Sequence, residues 1–234
     1  MDHRLEEIRR EEARSHTELY EKEALYTGES WLKKPVATVM GLLGHFDGYE
    51  QVRILDLGCG VGRNAIAIAM QLGKKCQADC VDLLEMAIEK LSENAKAYGV
   101  EDSIRGVVSP IESFPIYIET YDFIFAVSAL EHIDGTESLK SKLFEMEKGV
   151  RKGGLVCLIM NSGVEEQNKA TGEGIPAGFE VNLPTEELAE LLHDTFAGWE
   201  VLKETVVPQH YEIPRGEVTS LLSAKVLTFA AKKV

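Results

Sequence analysis

Residues 51–70, Gln-Val-Arg-Ile-Leu-Asp-Leu-Gly-Cys-Gly-Val-Gly-Arg-Asn-Ala-Ile-Ala-Ile-Ala-Met, change character twice. Gln51–Leu57 is short and rich in aliphatic residues, which reads as a strand. Gly58, Gly60 and Gly62 then break it, and Asn64–Gly73 carries the alanines and isoleucines of a buried helix. Glycines at such a turn tolerate tight dihedrals and let the backbone approach a ligand closely. The helix that follows turns free N–H groups and its positive dipole end toward the same place.

Downstream the alternation repeats. Lys75–Val81, Ile104–Val108, Tyr121–Val127 (YDFIFAV) and Leu155–Met160 (LVCLIM) read as strands. Leu84–Tyr98 and Thr136–Val150 read as helices, the second closed by a C-cap at Arg151-Lys-Gly-Gly154. Strands that are apolar throughout and separated by helices predict a parallel sheet covered on both faces. A capped helix at Pro184–Phe196, a strand near Glu200–Val207 and a last apolar run Leu221–Ala231 complete the pattern. The predicted fold is α/β: a Rossmann-like doubly wound sheet of seven strands, mostly parallel, with an antiparallel C-terminal hairpin at its edge.

The ends differ from this core. Residues 1 to about 25 are rich in Glu and Arg and read as a helix whose sparse apolar face is Leu5, Ile8, Leu19 and Leu25. Thr27–Ser30 breaks it, and Ser30 is placed to cap a second helix from Trp31 to about Phe46, with Pro35 in its first turn. Residues 161–180 are polar and glycine-rich and read as a mobile loop.

Composition narrows the function classes. The chain of 234 residues is 44% hydrophobic and 27% charged, enough apolar content for a sizeable core. Thirty-nine acids against 25 bases give a formal charge of −14, which repels phosphate backbones and argues against nucleic acid as partner. The four cysteines (Cys59, Cys76, Cys80, Cys157) form no CxxC pair or zinc-spaced cluster, so no metal site is expected and reduced core thiols are. The charged start MDHRLEEIRREE does not read as a signal peptide, and no charge-free run approaches the ~18 residues of a membrane span. A cytoplasmic protein with no membrane partner is the expectation.

Glycine spacing separates two cofactors. Dinucleotide binding wants G-x-G-x-x-G, which from Gly58 and Gly60 requires glycine at 63; that position is Arg63, and the third glycine is Gly62. No GK[ST] follows, which excludes a P-loop. Asp82 ends the second strand, 20 residues after Gly62, where an acid can accept both ribose hydroxyls of a nucleoside lying over the switch point of the sheet. Capping of the helix that begins near Leu84 is its other role, and the two are compatible.

The pattern Asp-x-Gly-x-Gly-x-Gly (Asp56–Gly62) resembles motif I of the class I S-adenosylmethionine (SAM)-dependent methyltransferases. Val127-Ser128-Ala129-Leu130-Glu131-His132-Ile133 resembles the S-x-L-E-H-I run of their small-molecule members, and Arg151–Leu155 their turn before the fifth strand. The likeness spans residues 50–160. Compact length and the pattern P-T-E-E-L…W-E-V-L-K draw it toward the tellurite-resistance-type enzymes.

This resemblance implies SAM as cofactor, S-adenosylhomocysteine as product and no obligatory metal. It places Asp56, Gly58, Cys59 and Gly60 at the cofactor, with Asp82 and Leu83 after the second strand. Ser109, Pro110 and Ile111 fall near the adenine, where Ser109 replaces a frequent Asp, and Val127 and Ser128 follow the fourth strand. It also divides the chain, read as one domain, into an N-terminal helical cap (1–46), a SAM-binding core (50–160) and a C-terminal part (161–234) of lid loop, helix and edge strands. Trp31 and Tyr26 lie where N-terminal segments of the family fold over the cofactor, with core packing as the alternative. An aromatic face there attracts a sulfonium.

Methyl transfer from a sulfonium is an in-line displacement that needs alignment and exclusion of water rather than a covalent nucleophile. His132 is the catalytic candidate, able to take a proton from an acceptor; a structural histidine bonded to backbone or Glu131 is the competing role. His210, Tyr211 and Arg215 are read as loop residues at an acceptor pocket or in solvent. The expected partner is a small-molecule acceptor, with no oligomeric state implied. Three other functions compete. A macromolecular methyltransferase lacks here the [DN]PP[YFW] run or Pro-Cys nucleophile of nucleic-acid enzymes, an NAD-dependent oxidoreductase is opposed by Arg63, and a SAM-binding protein without catalysis fits the same motifs.

Overall fold

The computed structural model describes residues 3–215 and 218–234, leaving aside the side chains of 3–8, 11, 12, 214 and 215. Those of Leu5, Ile8 and Arg215, named above, therefore lie outside the described residues. Five parallel strands form one side of the sheet as far as its edge: β1 (Val52–Leu57), β2 (Cys76–Asp82), β3 (Ile104–Val108), β4 (Tyr121–Val127) and β5 (Val150–Asn168). Between them run α3 (Ala65–Leu72), α4 (Glu85–Ala97) and α5 (Thr136–Gly149); before them come α1 (His3–Lys22) and the short α2 (Ala37–Gly41). A two-residue strand β6 (Gly174–Ile175), α6 (Thr185–Thr195), β7 (Glu200–Arg215) and β8 (Val218–Lys232) complete the chain.

The strand order is β3-β2-β1-β4-β5-β8-β7, with β8 antiparallel to both β5 and β7. This matches the predicted doubly wound sheet and its C-terminal hairpin; the eighth strand is β6, paired with β5. Order reverses between β1 and β4, so the turns after those strands diverge to opposite faces and leave a crevice at their carboxyl ends. Each face has its own apolar core. Ile54, Phe123 and Phe125 pack with α2, α3 and α4 on one side, and Leu55, Leu57 and Ile124 with α5 and α6 on the other. Alternate residues of one strand serve opposite faces.

Three expectations change. The helix predicted from Trp31 to Phe46 is broken: Ser30 Oγ accepts from Leu32 N at 3.2 Å and caps only a 3-10 turn, Trp31–Lys33. Pro35 then forces extended backbone onto Lys34 before α2 begins. Arg151–Gly154 does not cap α5; it opens β5, and lies in the register shift opposite Tyr121 and Phe123. The loop predicted over 161–180 is strand as far as Asn168, paired with β8 through Asn168↔Ser220. Its side chains alternate, Ser162, Val164 and Glu166 buried and Gly163, Glu165 and Gln167 exposed, a period of two hidden by its polar composition. His210 and Tyr211 likewise lie in strand rather than a loop, paired in β7 with Ser223 and Leu222 of β8.

Candidate functional site

A cavity of about 540 Å³ opens at the carboxyl ends of β1, β2, β3 and β4. It gathers most of the residues singled out from the sequence: Gly58, Cys59 and Gly60 after β1, Asp82 and Leu83 after β2, Pro110 and Ile111 after β3, Val127, Ser128 and His132 after β4, and Trp31. Asp56 and Ser109 are not on its wall.

The wall is held by hydrogen bonds between neighbouring strand ends. Gly58 N and Cys59 N both donate to Val81 O, at 2.8 and 3.0 Å. Asp82 does two things at once: its Oδ2 accepts from Gly60 N at 2.8 Å and its Oδ1 from Leu84 N at 3.0 Å. Burial raises the Asp82 pKa, and these two N–H donors oppose the rise. A Cβ on Gly58, whose φ is +75°, would lie 2.2 Å from Ala129 Cβ, so only glycine lets the turns after β1 and β4 meet. A Cβ on Gly60 would meet Tyr20 Oη at 2.7 Å, so α1 rests directly on the glycine turn.

Asp56 and Ser109 have internal tasks. Asp56 is 1% exposed beneath the turn, where burial pushes its carboxyl up to about 8 against the pull of Arg63, and its Oδ2 has no hydrogen-bond partner. Ser109 Oγ donates to Pro110 O at 2.9 Å and Ser109 N to Asp82 O at 2.9 Å, tying the ends of β2 and β3 together. The acid on the cavity wall after β3 is Glu112, whose Oε1 accepts from Arg9 at 3.0 Å. Tyr26 takes the packing role: its hydroxyl donates to Arg63 O at 2.8 Å and its ring meets Tyr98 edge-on. Trp31 lines the cavity, and its ring already carries the Arg63 guanidinium 4.8 Å from its centroid.

Sequence reasoning missed much of the opposite wall. Arg9, Ala13, His16 and Tyr20 line the cavity from α1, and their spacing of four, three and four is one helical face. That polar and aromatic stripe was the available signal, but attention to leucine and isoleucine alone passes over it. Burial lowers the His16 pKa, with Asp82 opposing, and Tyr20 Oη lies 3.0 Å from His16 Nδ1. Asn161, Phe179, Glu180 and Tyr211 come from the C-terminal third. His132 is bonded to Glu180, Nδ1 to Oε2 at 3.0 Å, and stacks on Phe179 at 5.2 Å. Glu131 turns elsewhere, its Oε1 accepting from Asn161 Nδ2 at 2.6 Å. Among the described residues no group of His, Cys, Asp and Glu fits a metal ion, and no helix is long and apolar enough to cross a membrane.

A glycine turn over the switch point, an acid after β2 and this sheet order define a class, and residues 54–154 match the methyltransferase domain family. That match spans a little under half of the chain, and the fold is shared with SAM-dependent methyltransferases of known structure. Among curated relatives, a sterol 24-C-methyltransferase of Debaryomyces hansenii is 23% identical over 160 residues, 64% of this chain and 42% of the relative. The norajmaline N-methyltransferase of Rauvolfia serpentina is 29% identical over 84 residues, 36% of this chain and 28% of that protein. The chain thus spans less than half the length of these relatives. Among solved structures, TehB from Haemophilus influenzae shares the fold with a TM-score of 0.63 at 20% identity, over 85% of this chain and 62% of that one.

Proposed function

We propose that this protein transfers the methyl group of SAM to a small-molecule acceptor by in-line displacement. One observation carries the reading: the glycine turn, Asp82, Ile111 and Ser128 come from four separate strand ends and line a single cavity. The residues present suit the cofactor. Gly60 leaves space that a Cβ would fill, and Asp82 brings a largely buried carboxylate to the wall beside it. Bound there, SAM supplies a methyl group on a sulfonium, a good leaving group.

The chain's own part is to bind, orient and exclude water. A carboxylate has about four lone-pair sites, so Asp82 keeps acceptor capacity for ribose hydroxyls beyond the two it spends on Gly60 and Leu84. Pro110 and Ile111 give an apolar wall for the adenine, and Val127 and Ser128 stand beside the methionyl part. Trp31, Cys59 and Leu83 complete the cofactor contacts, while Asp56 and Ser109 support from behind. Helix α1 covers the cavity with Tyr20 and His16 and keeps water from the reacting centre. At about 540 Å³ the cavity lies within the usual ~300–1,000 Å³ of ligand pockets, which leaves little beyond the cofactor and favours a small acceptor.

Calorimetric titration tests the reading. SAM and S-adenosylhomocysteine should bind and NAD should not, and Gly60→Val should weaken SAM by ~1–3 kcal/mol through the crowding at Tyr20. Tight NAD binding, or a folded Gly60→Val variant that binds SAM as wild type does, overturns it.

A further inference from the structure

We propose that the acceptor is methylated at a hydroxyl oxygen, and that Glu180 is the positioning residue that aims His132 at the hydroxyl proton. The proposal rests on the reading of the cavity as a SAM site and goes beyond it by naming the acceptor's chemistry.

The geometry around His132 is that of an oriented base. Its ring is fixed in plane by Phe179, stacked at 5.2 Å with 25° between planes, and in rotation by the 3.0 Å contact of Nδ1 with Glu180 Oε2. The Glu180 side chain is 0% exposed, so that contact is made away from solvent. Glu180 is itself held. Val181 N donates to Glu131 O at 2.9 Å, pinning the segment to the turn that bears His132. Arg9 of α1 places Nε 3.5 Å from Glu180 Oε1 and Nη2 3.0 Å from Glu112 Oε1. A chain of charge thus runs Glu112–Arg9–Glu180–His132 along the cavity wall, from the segment after β3 to the turn after β4. Of the other described titratable groups, His16 on α1 lies close enough to act on the ring, and Glu131 and Asp134 are its neighbours in sequence.

A neutral imidazole that donates from Nδ1 to a carboxylate accepts at Nε2, and the buried carboxylate stabilises the imidazolium that results. Such a pair matters most for a hydroxyl. A neutral amine attacks with its own lone pair and sheds its proton afterwards, and a thiol is partly ionised near neutral pH, whereas an alcohol or phenol must give up its proton as it attacks. Oxyanion acceptors fit poorly, because Asp82, Glu112 and Glu180 line the cavity, Arg9 is ion-paired with two of these carboxylates and Arg63 lies on Trp31. In the step inferred, the acceptor O–H bond breaks and its proton passes to His132 Nε2. The oxygen's electron pair forms the O–CH₃ bond while the C–S bond of SAM breaks with its pair on sulfur. The imidazolium then returns its proton to solvent.

The test uses the full chain, with His132→Gln, Glu180→Gln and Glu180→Asp. The first readout needs no acceptor. In protein labelled with ¹³C-histidine, the His132 resonance, assigned by its loss in His132→Gln, should titrate at lower pH in Glu180→Gln and return toward wild type in Glu180→Asp. The second is release of S-adenosylhomocysteine with phenol, catechol, benzylamine, thiophenol or tellurite as probe. The hydroxyl probes should be the better substrates. With them, Glu180→Gln should lower kcat at least about tenfold and His132→Gln on the order of 10²-fold, at unchanged SAM affinity, and the acid limb of the pH profile should move to lower pH in Glu180→Gln. Turnover confined to benzylamine, thiophenol or tellurite overturns the proposal. So does a His132 titration unmoved in Glu180→Gln while SAM binds normally. Failure of wild type to bind SAM overturns the site reading first and the proposal with it.

Discussion

One wall of the cavity comes from short turns between residues 58 and 132, each following a strand hydrogen-bonded to its neighbour; the other comes from residues 9–20, 161, 179–180 and 211, drawn from both ends of the chain. The first is made largely of backbone: Gly58 N, Cys59 N and Gly60 N all bond to the end of β2. The second is made of side chains that meet across more than forty positions of sequence, as His132 meets Glu180. A wall of backbone is fixed by a few small residues and tolerates almost no change at them. A wall of side chains can be rebuilt without disturbing the sheet; under the function proposed above, that suits it to set the acceptor and the first wall to hold the cofactor.

If that division is right, the largest effects lie in the turns. Gly58→Ala would put a methyl group 2.2 Å from Ala129 Cβ at a φ of +75°. Overpacking and left-handed strain together should cost about 2–5 kcal/mol, read as a lower urea midpoint, with SAM binding lost as the turns after β1 and β4 part. A Gly58→Ala protein as stable as wild type would mean that the two turns are not locked together. Asp82→Ala comes next. Losing charge-assisted bonds to ribose should raise the SAM dissociation constant at least about tenfold, and losing the ties to Gly60 and Leu84 should lower apo stability by about 1–2 kcal/mol. Loss of stability with unaltered SAM affinity would confine Asp82 to holding the turn.

The same division explains what was readable. The sheet and its order class followed from local signals, because a strand that ends in glycine and a helix that starts behind it are short-range events; ten of the positions named from the family resemblance line one cavity. Asp56 looked like a ligand contact because its place in the motif is visible and its depth is not; burial is a property of the finished sheet. The strand at 161–168 was missed because it lies outside the apolar middle of the sheet, where alternate residues can be polar and still pair with β8. Glu180 had no local signal at all. Its role exists only because α1 brings Arg9 to one side of it and the turn after β4 brings His132 to the other.

A smaller effect should separate the support beneath the turn from the wall itself. The Asp56 carboxyl titrates near 8 when folded and near ~3.9 when unfolded, so the folded state holds an extra proton between these values. Its contribution to stability is full below about pH 4 and is lost as pH rises through about 8. Asp56→Asn should therefore flatten the decline in urea midpoint between about pH 4 and about pH 8, while leaving SAM affinity within a few-fold. A variant with the wild-type slope would show that other groups govern this range. A variant that no longer bound SAM would return Asp56 to the ligand.

The smallest effect expected is on motion at the other wall, where the sequence pointed to residues 161–180 and the N-terminal helix as a lid. The fold divides that segment. Residues 161–168 are already paired with β8, so their amides should exchange slowly with or without ligand. Phe179 and Glu180 line the cavity outside any strand, held by Val181 N to Glu131 O, and α1 meets Glu180 through the side chain of Arg9. The Glu180 side chain is fully buried, and the cost of taking such charges out of water offsets much of what their pairing returns, so this contact alone does not keep α1 seated. Adding S-adenosylhomocysteine should slow exchange in residues 9–20 and around 179–181, and leave 161–168 unchanged. Equal slowing across 161–180 would restore the single lid. No slowing on α1 would mean that the helix is a fixed roof, and that ligands reach the cavity past Tyr211 instead.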